Sequence, residues 1–600
     1  MKTFLQTQHQ TDGTHKNTHG PHKWLDEQDY ANFTAAVAAA ANKTLVVARS
    51  INLDANTVIP ASVSLKFINP GVINANGFTL TINGPIVGNP MHQIFNGFAA
   101  GEITGLKEIN PAWVGAVADW NGSTGTDNTS AFQLAMSIST KLKVSKGSYY
   151  LATSLSPVRF LQITGAGIVD GATFICNSHF MTFTSAITSE EIRIKDIAIL
   201  GTGSYATTKY ALNMVSGTIV RLQLDNVYVW HMKRVIYASA STNIVGLHVD
   251  NCLFENQYGW NIEFEIDVGS GGSNSVMHFN NTYFADNGVA GAIAGVTDGH
   301  MRIVRAVTFM KFTNCAFESA SGTHAVYIGA SSLVHFSNCY FGNNCRPVSG
   351  VPVAGGRDIY NAGGVGTMKL TECSFSTPYE SATAFYNIEK FVDTGQVLIV
   401  EDCSVNTDAH GAEYLGFIGG AGPDRPNRTF VKRCNFTGKT GGGPFDWLAN
   451  AGTDVVRENN LFDSSVANVY KRDIIRTLTT TGDTVTNMFN TENYLGVYVP
   501  GTGASSTFLI EAKVICRNLS GTVYGAYVSR NLFSVDASYN VTDLGELSET
   551  PIESNAALNV SFAAGASGTS SARLVMQVRG LVGETIYWVA EISEMAVKAF

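Results

Sequence analysis

Between about residue 190 and residue 440, apolar and polar positions alternate in short runs, and one six-residue run keeps returning. It reads Val249-Asp250-Asn251-Cys252-Leu253-Phe254, then Phe312-Thr313-Asn314-Cys315-Ala316-Phe317, then Phe336-Ser337-Asn338-Cys339-Tyr340-Phe341. The runs around Cys373, Cys403 and Cys434 repeat it, and Phe279 to Phe284 carries Thr282 in the cysteine slot. A period of two marks strands whose side chains point alternately to opposite faces. Extended back to Val227 and Ile197, the frame has slots at 197, 227, 252, 282, 315, 339, 373, 403 and 434, which are 24 to 34 residues apart. That spacing is one coil of a solenoid, in which each coil buries its apolar face against the next. The pattern predicts an all-β chain built on a right-handed, single-stranded parallel β-helix.

Four blocks follow along the chain. Residues 1–30 are polar, with His9, His15, His19 and His22 close together, and read as a solvated connecting arm. Residues 31–112 open with an alanine-rich helix at Phe33 to Ala41 and continue with short strands between Asn-Pro and Asn-Gly turns, a small β-rich head. Residues 113–475 hold the coils. In residues 476–600 the cysteine slot is lost and longer alternating strands are separated by Gly and Ser turns, which predicts a C-terminal β-sandwich.

Composition narrows the function classes. Charged residues make up 14% of the 600, against about 25% in an average protein, while glycine is abundant at 59. The net charge of −9 argues against nucleic acid, whose phosphates need a basic surface. No apolar run approaches the ~18 residues of a membrane span. The opening Met1-Lys2-Thr3-Phe4-Leu5-Gln6 lacks the apolar core of a signal peptide. Six of the nine cysteines fall in the repeating slot, where a thiol packs as a small hydrophobe, and no C-x-x-C pair points to zinc. Neither a metal nor another cofactor is expected.

The entry to the coils carries a resemblance. Trp113-Val114-Gly115-Ala116, Gly125-Thr126-Asp127-Asn128-Thr129-Ser130-Ala131-Phe132-Gln133 and Val144-Ser145-Lys146-Gly147-Ser148-Tyr149-Tyr150 resemble the start of pectate-lyase-like β-helix proteins, bacteriophage tailspikes in particular. Thr126 or Asp127 would cap a short helix that plugs the open end of the solenoid, and Gly147 would turn the chain into the first coil. The family usually reads Asp-Asp-Thr where this chain has Asn128, and Pro where it has Lys146; both changes touch the cap. The resemblance implies a homotrimer on a virion tail or baseplate, attached through the N-terminal arm, made in the host cytoplasm and directed at a bacterial surface polysaccharide. It implies no membrane insertion.

Chemistry is expected on the outside of the coils. In Asn261-Ile262-Glu263-Phe264-Glu265-Ile266-Asp267 the alternation turns Ile262, Phe264 and Ile266 inward and places three acids on one outer face. Alternate strand residues sit roughly 6.6 Å apart, so carboxyls at 263, 265 and 267 span the about 5 to 9 Å that glycosidases use. Mutual repulsion would keep one protonated beside an ionised partner. Glu263 and Glu265 are the acid and base candidates, with Asp267 or Asp286 as alternative partner. Candidate substrate contacts are Arg234, Tyr237, Trp260, Asp298, His300, His324, Tyr327 and Arg357 around a furrow of small residues at 290–296. The reading is a polysaccharide depolymerase acting by hydrolysis. The alternatives are a spike that only binds glycan and a lyase that abstracts a proton beside a uronate.

Overall fold

The computed structural model describes residues 24–597 apart from 89–90, 158–159, 185–187, 203–208, 240, 256–261, 265–275, 286–298, 321–322, 346–355, 362–364, 377–384, 391–396, 407–413, 420–427, 438–453, 459–460, 463–472, 482–484, 488–494, 498–505, 519, 536–540, 550–551, 555–557, 565–571, 580 and 582–583. By its internal packing the chain divides into two units, residues 1–254 and 255–600.

The first unit begins with very short strands that pair in parallel rather than as hairpins. Trp24–Asp26, Thr44–Val47, Ser64–Phe67 and Ile86–Val87 form one sheet; Ser50–Asn52, Val72–Asn74 and Phe95–Asn96 a second; Thr57–Ile59, Leu80–Ile82 and Ile103–Thr104 a third. This is a three-sided solenoid. On one side the amides of Asn74 and Asn96 donate to Asn52 and Asn74 at 3.0 and 2.8 Å.

The entry motif then closes the next solenoid. Asp127 accepts from the Thr129 amide at 3.0 Å and so caps the helix Thr129–Ile138, and Gly147 takes the left-handed φ of 131° as it opens the strand Gly147–Leu151. Asn128 is buried and does something else: its side-chain oxygen accepts from the Val117 amide at 2.6 Å, while its NH2 donates to the carbonyls of Val117 and Thr126, both at 2.9 Å. Beyond it the strands stack in parallel register, Ala172 on Ile197 and Ile197 on Val227.

The second unit shows the same parallel stacking in longer columns. Phe279, Phe312, Phe336, Leu370, Val400 and Val431 follow one another in register, as do Phe284, Phe317, Phe341, Phe375, Val405 and Phe436. Phe284, Phe317, Phe341 and Phe375 stack nearly face to face, with centroids 4.9, 5.0 and 4.9 Å apart. That is the spacing of adjacent strands in a sheet, so coil stacking and ring stacking share one repeat. The expectation that the hexads lie above one another is met, and the fold is a parallel β-helix. Parallel pairing runs to Leu461–Phe462; from Asp473 onward the strands are antiparallel, in a six-stranded and a four-stranded sheet.

The repeating hexad has a second function that its alternation alone does not reveal. The residue before each of the nine slots, Asp196, Asn226, Asn251, Asn281, Asn314, Asn338, Glu372, Asp402 and Arg433, has φ between 47° and 57°. Asn and Asp tolerate this left-handed corner best among side-chain-bearing residues. Each slot thiol then points back at the carbonyl two residues earlier: Cys252 to Asp250 at 3.2 Å, Cys315 to Thr313 at 3.4 Å, Cys403 to Glu401 at 3.3 Å. Thr282 makes the same contact to Asn280 with its hydroxyl, which is why threonine substitutes for cysteine. All nine cysteines are free and buried, and burial pushes the Cys252 thiol up to about 12. Thiolate is the reactive form. Because all nine are buried out of a reagent's reach, a thiol reagent at pH 8 should titrate none of them in the folded chain and all nine after denaturation, and rapid labelling of the native protein would contradict the stacked column.

Candidate functional site

The strand Ile262–Phe264 lies in parallel register with Met301–Thr313, which places Glu263 opposite Arg302. The next two coils put Tyr327 on Arg302 and Tyr360 on Tyr327. One outward column thus runs Glu263, Arg302, Tyr327, Tyr360. Arg302 Nη1 donates to Glu263 Oε1 at 2.6 Å, and its guanidinium lies 5.8 Å from the centre of the Tyr327 ring. Tyr327 and Tyr360 stack at 5.2 Å with 30° between planes. Such contacts are worth about 0.5–1.5 kcal/mol each, enough to hold the rings in one orientation.

His324 and Arg357 form the neighbouring column, paired in register with each other. The His324 ring sits 4.3 Å from Tyr360 and edge-on to Tyr327 at 5.8 Å, and its Nδ1 is 2.7 Å from the Thr323 hydroxyl. Burial, reinforced by the Arg357 charge, holds the imidazole down at about 3. At neutral pH it is an uncharged hydrogen-bonding group. Burial also raises Tyr360, with a smaller contribution from Tyr327. Arg302, His324, Tyr327, Arg357 and Tyr360 are all half-exposed, so the face combines aromatic planes with two guanidinium groups.

In the first unit Arg234 and Tyr237 also come together, around a residue the sequence reading passed over. Arg234 Nη1 donates to the Tyr210 hydroxyl at 3.0 Å, and the guanidinium lies 5.3 and 5.2 Å from the Tyr210 and Tyr237 ring centres. His179 stacks on the far side of Tyr210 at 4.9 Å.

Three expectations need correction. Glu263 is not an open solvent-facing acid: it is 3% exposed, covered by the half-exposed Arg302 that pairs with it. His300 does not flank a furrow; it is fully buried beside the stacked Phe284 and Phe317, 6.2 and 6.1 Å from their ring centres. Nor is the interior wholly apolar. Asp358, on the strand that carries Arg357 and Tyr360, lies inside, because residues 358 and 359 are both buried and the alternation is broken there. Glu265, Asp267, Asp286, Trp260 and Asp298, together with the furrow at 290–296, lie outside the described residues.

Arg302 is the partner of Glu263 that the sequence reading missed. It stands 39 residues from Glu263, longer than any slot spacing, so a fixed repeat does not align the two. Among the described residues no group of three or more His, Cys, Asp or Glu is placed to hold a metal, and no helix is long and apolar enough to cross a membrane.

No family model and no curated protein matches the chain. Among solved structures it is similar to the tailspike protein of Acinetobacter phage vB_ApiP_P1, at 13% identity over 87% of this chain and 96% of that one, with a TM-score of 0.36. It is similar also to the enzymatically active domain of tailspike protein 2 of bacteriophage CBA120, at 9% identity over 80% and 79%, TM-score 0.34. A third is Pantoea stewartii WceF, a glycan biofilm modifying enzyme with a tailspike-like parallel β-helix, at 9% identity over 80% and 59%, TM-score 0.23. At such identities the likeness concerns fold and assigns no residue.

Proposed function

We propose that this chain is a tailspike-type protein that binds a bacterial surface polysaccharide along the Glu263, Arg302, Tyr327, Tyr360 column and cleaves it there. The observation that carries the reading is the continuous ladder of Arg302 and two stacked tyrosines beside one carboxylate, with Arg357 in the neighbouring column. Stacked rings offer flat apolar planes to sugar faces, while Arg and Tyr donors fix hydroxyl and carboxylate orientation. For hydrolysis Glu263, held as an acceptor by Arg302, serves as base or nucleophile, and the acid comes from Glu265, Asp267 or Asp286. Arg234, Tyr237, Trp260, Asp298, His324 and Arg357 are the proposed sugar contacts. The assembly is a homotrimer on a virion tail, joined to tail or baseplate through the N-terminal arm.

One observation favours the second reading, a spike that grips glycan without cutting it: Glu263 is almost fully covered. The two separate in one experiment. Glu263→Gln should lower the release of reducing ends by at least about 100-fold, with glycan affinity within about threefold of the parent and a folded thermal profile. Tyr327→Ala should weaken binding by about tenfold, which is 1.4 kcal/mol. Undiminished turnover in the Gln variant would remove Glu263 from the chemistry. A parent protein that binds but releases no fragments would establish the grip-only reading, and fragments with unsaturated uronate ends would establish elimination.

A further inference from the structure

A polar lane runs inside the second unit, behind the outward face. His300, Asn344, Asp358 and Asn387 are each at most 1% exposed. Asn344 is held by the backbone, accepting from the Ala320 amide at 3.1 Å and donating to the Phe317 carbonyl at 3.1 Å. Its NH2 also reaches Asp358 Oδ1 at 2.7 Å, and Asn387 donates to Asp358 Oδ2 at 2.6 Å. The carboxyl is therefore gripped on both oxygens by neutral amides.

Among the described residues, the groups facing it carry no compensating positive charge. His300, on the preceding side through Asn344, is held neutral by burial at about 3. Cys345 is buried, and its thiol is pushed up by burial and by Asp358 itself. On the coil before, the register partner of Asp358 is the small Ala325, with His324 and Tyr327 turned to the outer face. On the coil after, Asn387 faces it, and Glu389 and Lys390 stand opposite Tyr360 and Asn361. Arg357, the neighbour in sequence, is half-exposed on the outer side.

We propose that Asp358 is a proton-operated latch: when protonated, its O–H donates to the carbonyl oxygen of a turned Asn387 and the strand Arg357–Asn361 packs tightly between its neighbouring coils, and when ionised the uncompensated buried charge loosens that strand and the face it carries. Arg357 and Tyr360 project from the same five residues, so the latch acts as a positioning element for them. The inference stands without the proposed function, since its readout is folding. Two amide donors favour the ionised form, but burial outweighs them and raises Asp358 to about 7. The sign follows. Between the ordinary carboxyl value near 4 and 7, the folded chain holds a proton the unfolded chain has lost, so stability falls as pH rises across this window and levels off above it.

The experiment compares melting temperature from pH 5.5 to pH 8.5 in the parent, in Asp358→Asn and in His324→Gln. The parent should lose roughly 5 °C across the window. The Asn variant, whose oxygen still accepts from Asn344 and whose NH2 can meet the carbonyl oxygen of a turned Asn387, should lose most of that dependence. The Gln variant should retain it. A parent with no pH-dependent loss, or an Asn variant that keeps the parent's slope, overturns the latch. If the Asn variant does not fold, hydrogen exchange in the parent decides: after correction for intrinsic rates, the strand 357–361 should exchange about tenfold faster at pH 8.5 than at pH 5.5, and unchanged protection overturns the proposal.

Discussion

Replacing Phe317 by alanine should destabilise the second unit by about 3–5 kcal/mol, the largest effect expected of any single core truncation in the column. Phe317 is fully buried, stacks on Phe284 and Phe341 at 4.9 and 5.0 Å, and meets Phe312 and Phe336 edge-on at 5.8 and 6.2 Å. Its removal deletes contacts to three coils at once. The coils are pinned by continuous backbone pairing on both sides, so the cavity has little freedom to collapse, and an uncollapsed aromatic cavity sits at the upper end of the usual cost. The measurement is the denaturant midpoint, with Val220→Ala as comparison. Val220 is 42% exposed, and such surface truncations stay within about 0.5 kcal/mol. A loss below about 1 kcal/mol at Phe317 would mean that the rings do not form a shared column.

Asn128→Asp, which restores the residue usual at that place in the resembled family, should destabilise the first unit by about 2–4 kcal/mol. The substitution is nearly isosteric, so volume contributes little. What changes is hydrogen-bond polarity: Asn128 accepts from the Val117 amide and donates to the carbonyls of Val117 and Thr126. A carboxylate keeps the first bond and turns the others into oxygen facing oxygen, in a site that is 1% exposed. Unsatisfied buried carbonyls and an uncompensated charge together account for the range. Thermal melting at pH 7 reads it, and a variant as stable as the parent would show that this amide clasp does not close the solenoid entry. The neighbouring Asp127 is no such liability, since the Thr129 and Ala152 amides and the Thr129 hydroxyl keep its carboxyl below the ordinary range despite partial burial.

Much of the coil architecture was legible because its determinants are local. The central pair of each hexad, Asn-Cys in three of them, encodes two adjacent facts, a left-handed corner and a small donor that returns to the carbonyl before it, and Thr282 obeys the second as well as any cysteine. The parallel winding of residues 24–104 was not legible. Its strands are two to four residues long, too short for alternation to distinguish a solenoid from hairpins.

The site was legible only in part. Tyr327 was visible as an outward residue because Val326 and Ile328 alternate with it in an ordinary strand. The pairing of Glu263 with Arg302 was not, because the intervening segment breaks the coil spacing.

By itself the sequence determined what repeats: the coil period, the slot, the corner and the apolar column, each set by side chains acting within a few residues of their own backbone. Only the tertiary structure decided what lies across a coil boundary. It covered Glu263 with Arg302, drew His300 inward and turned Asp358 into the interior, since register between coils depends on the length and path of every connecting loop rather than on the residues that meet. Local periodicity states which face a residue prefers, whereas the neighbour on that face is supplied by a strand dozens of residues away.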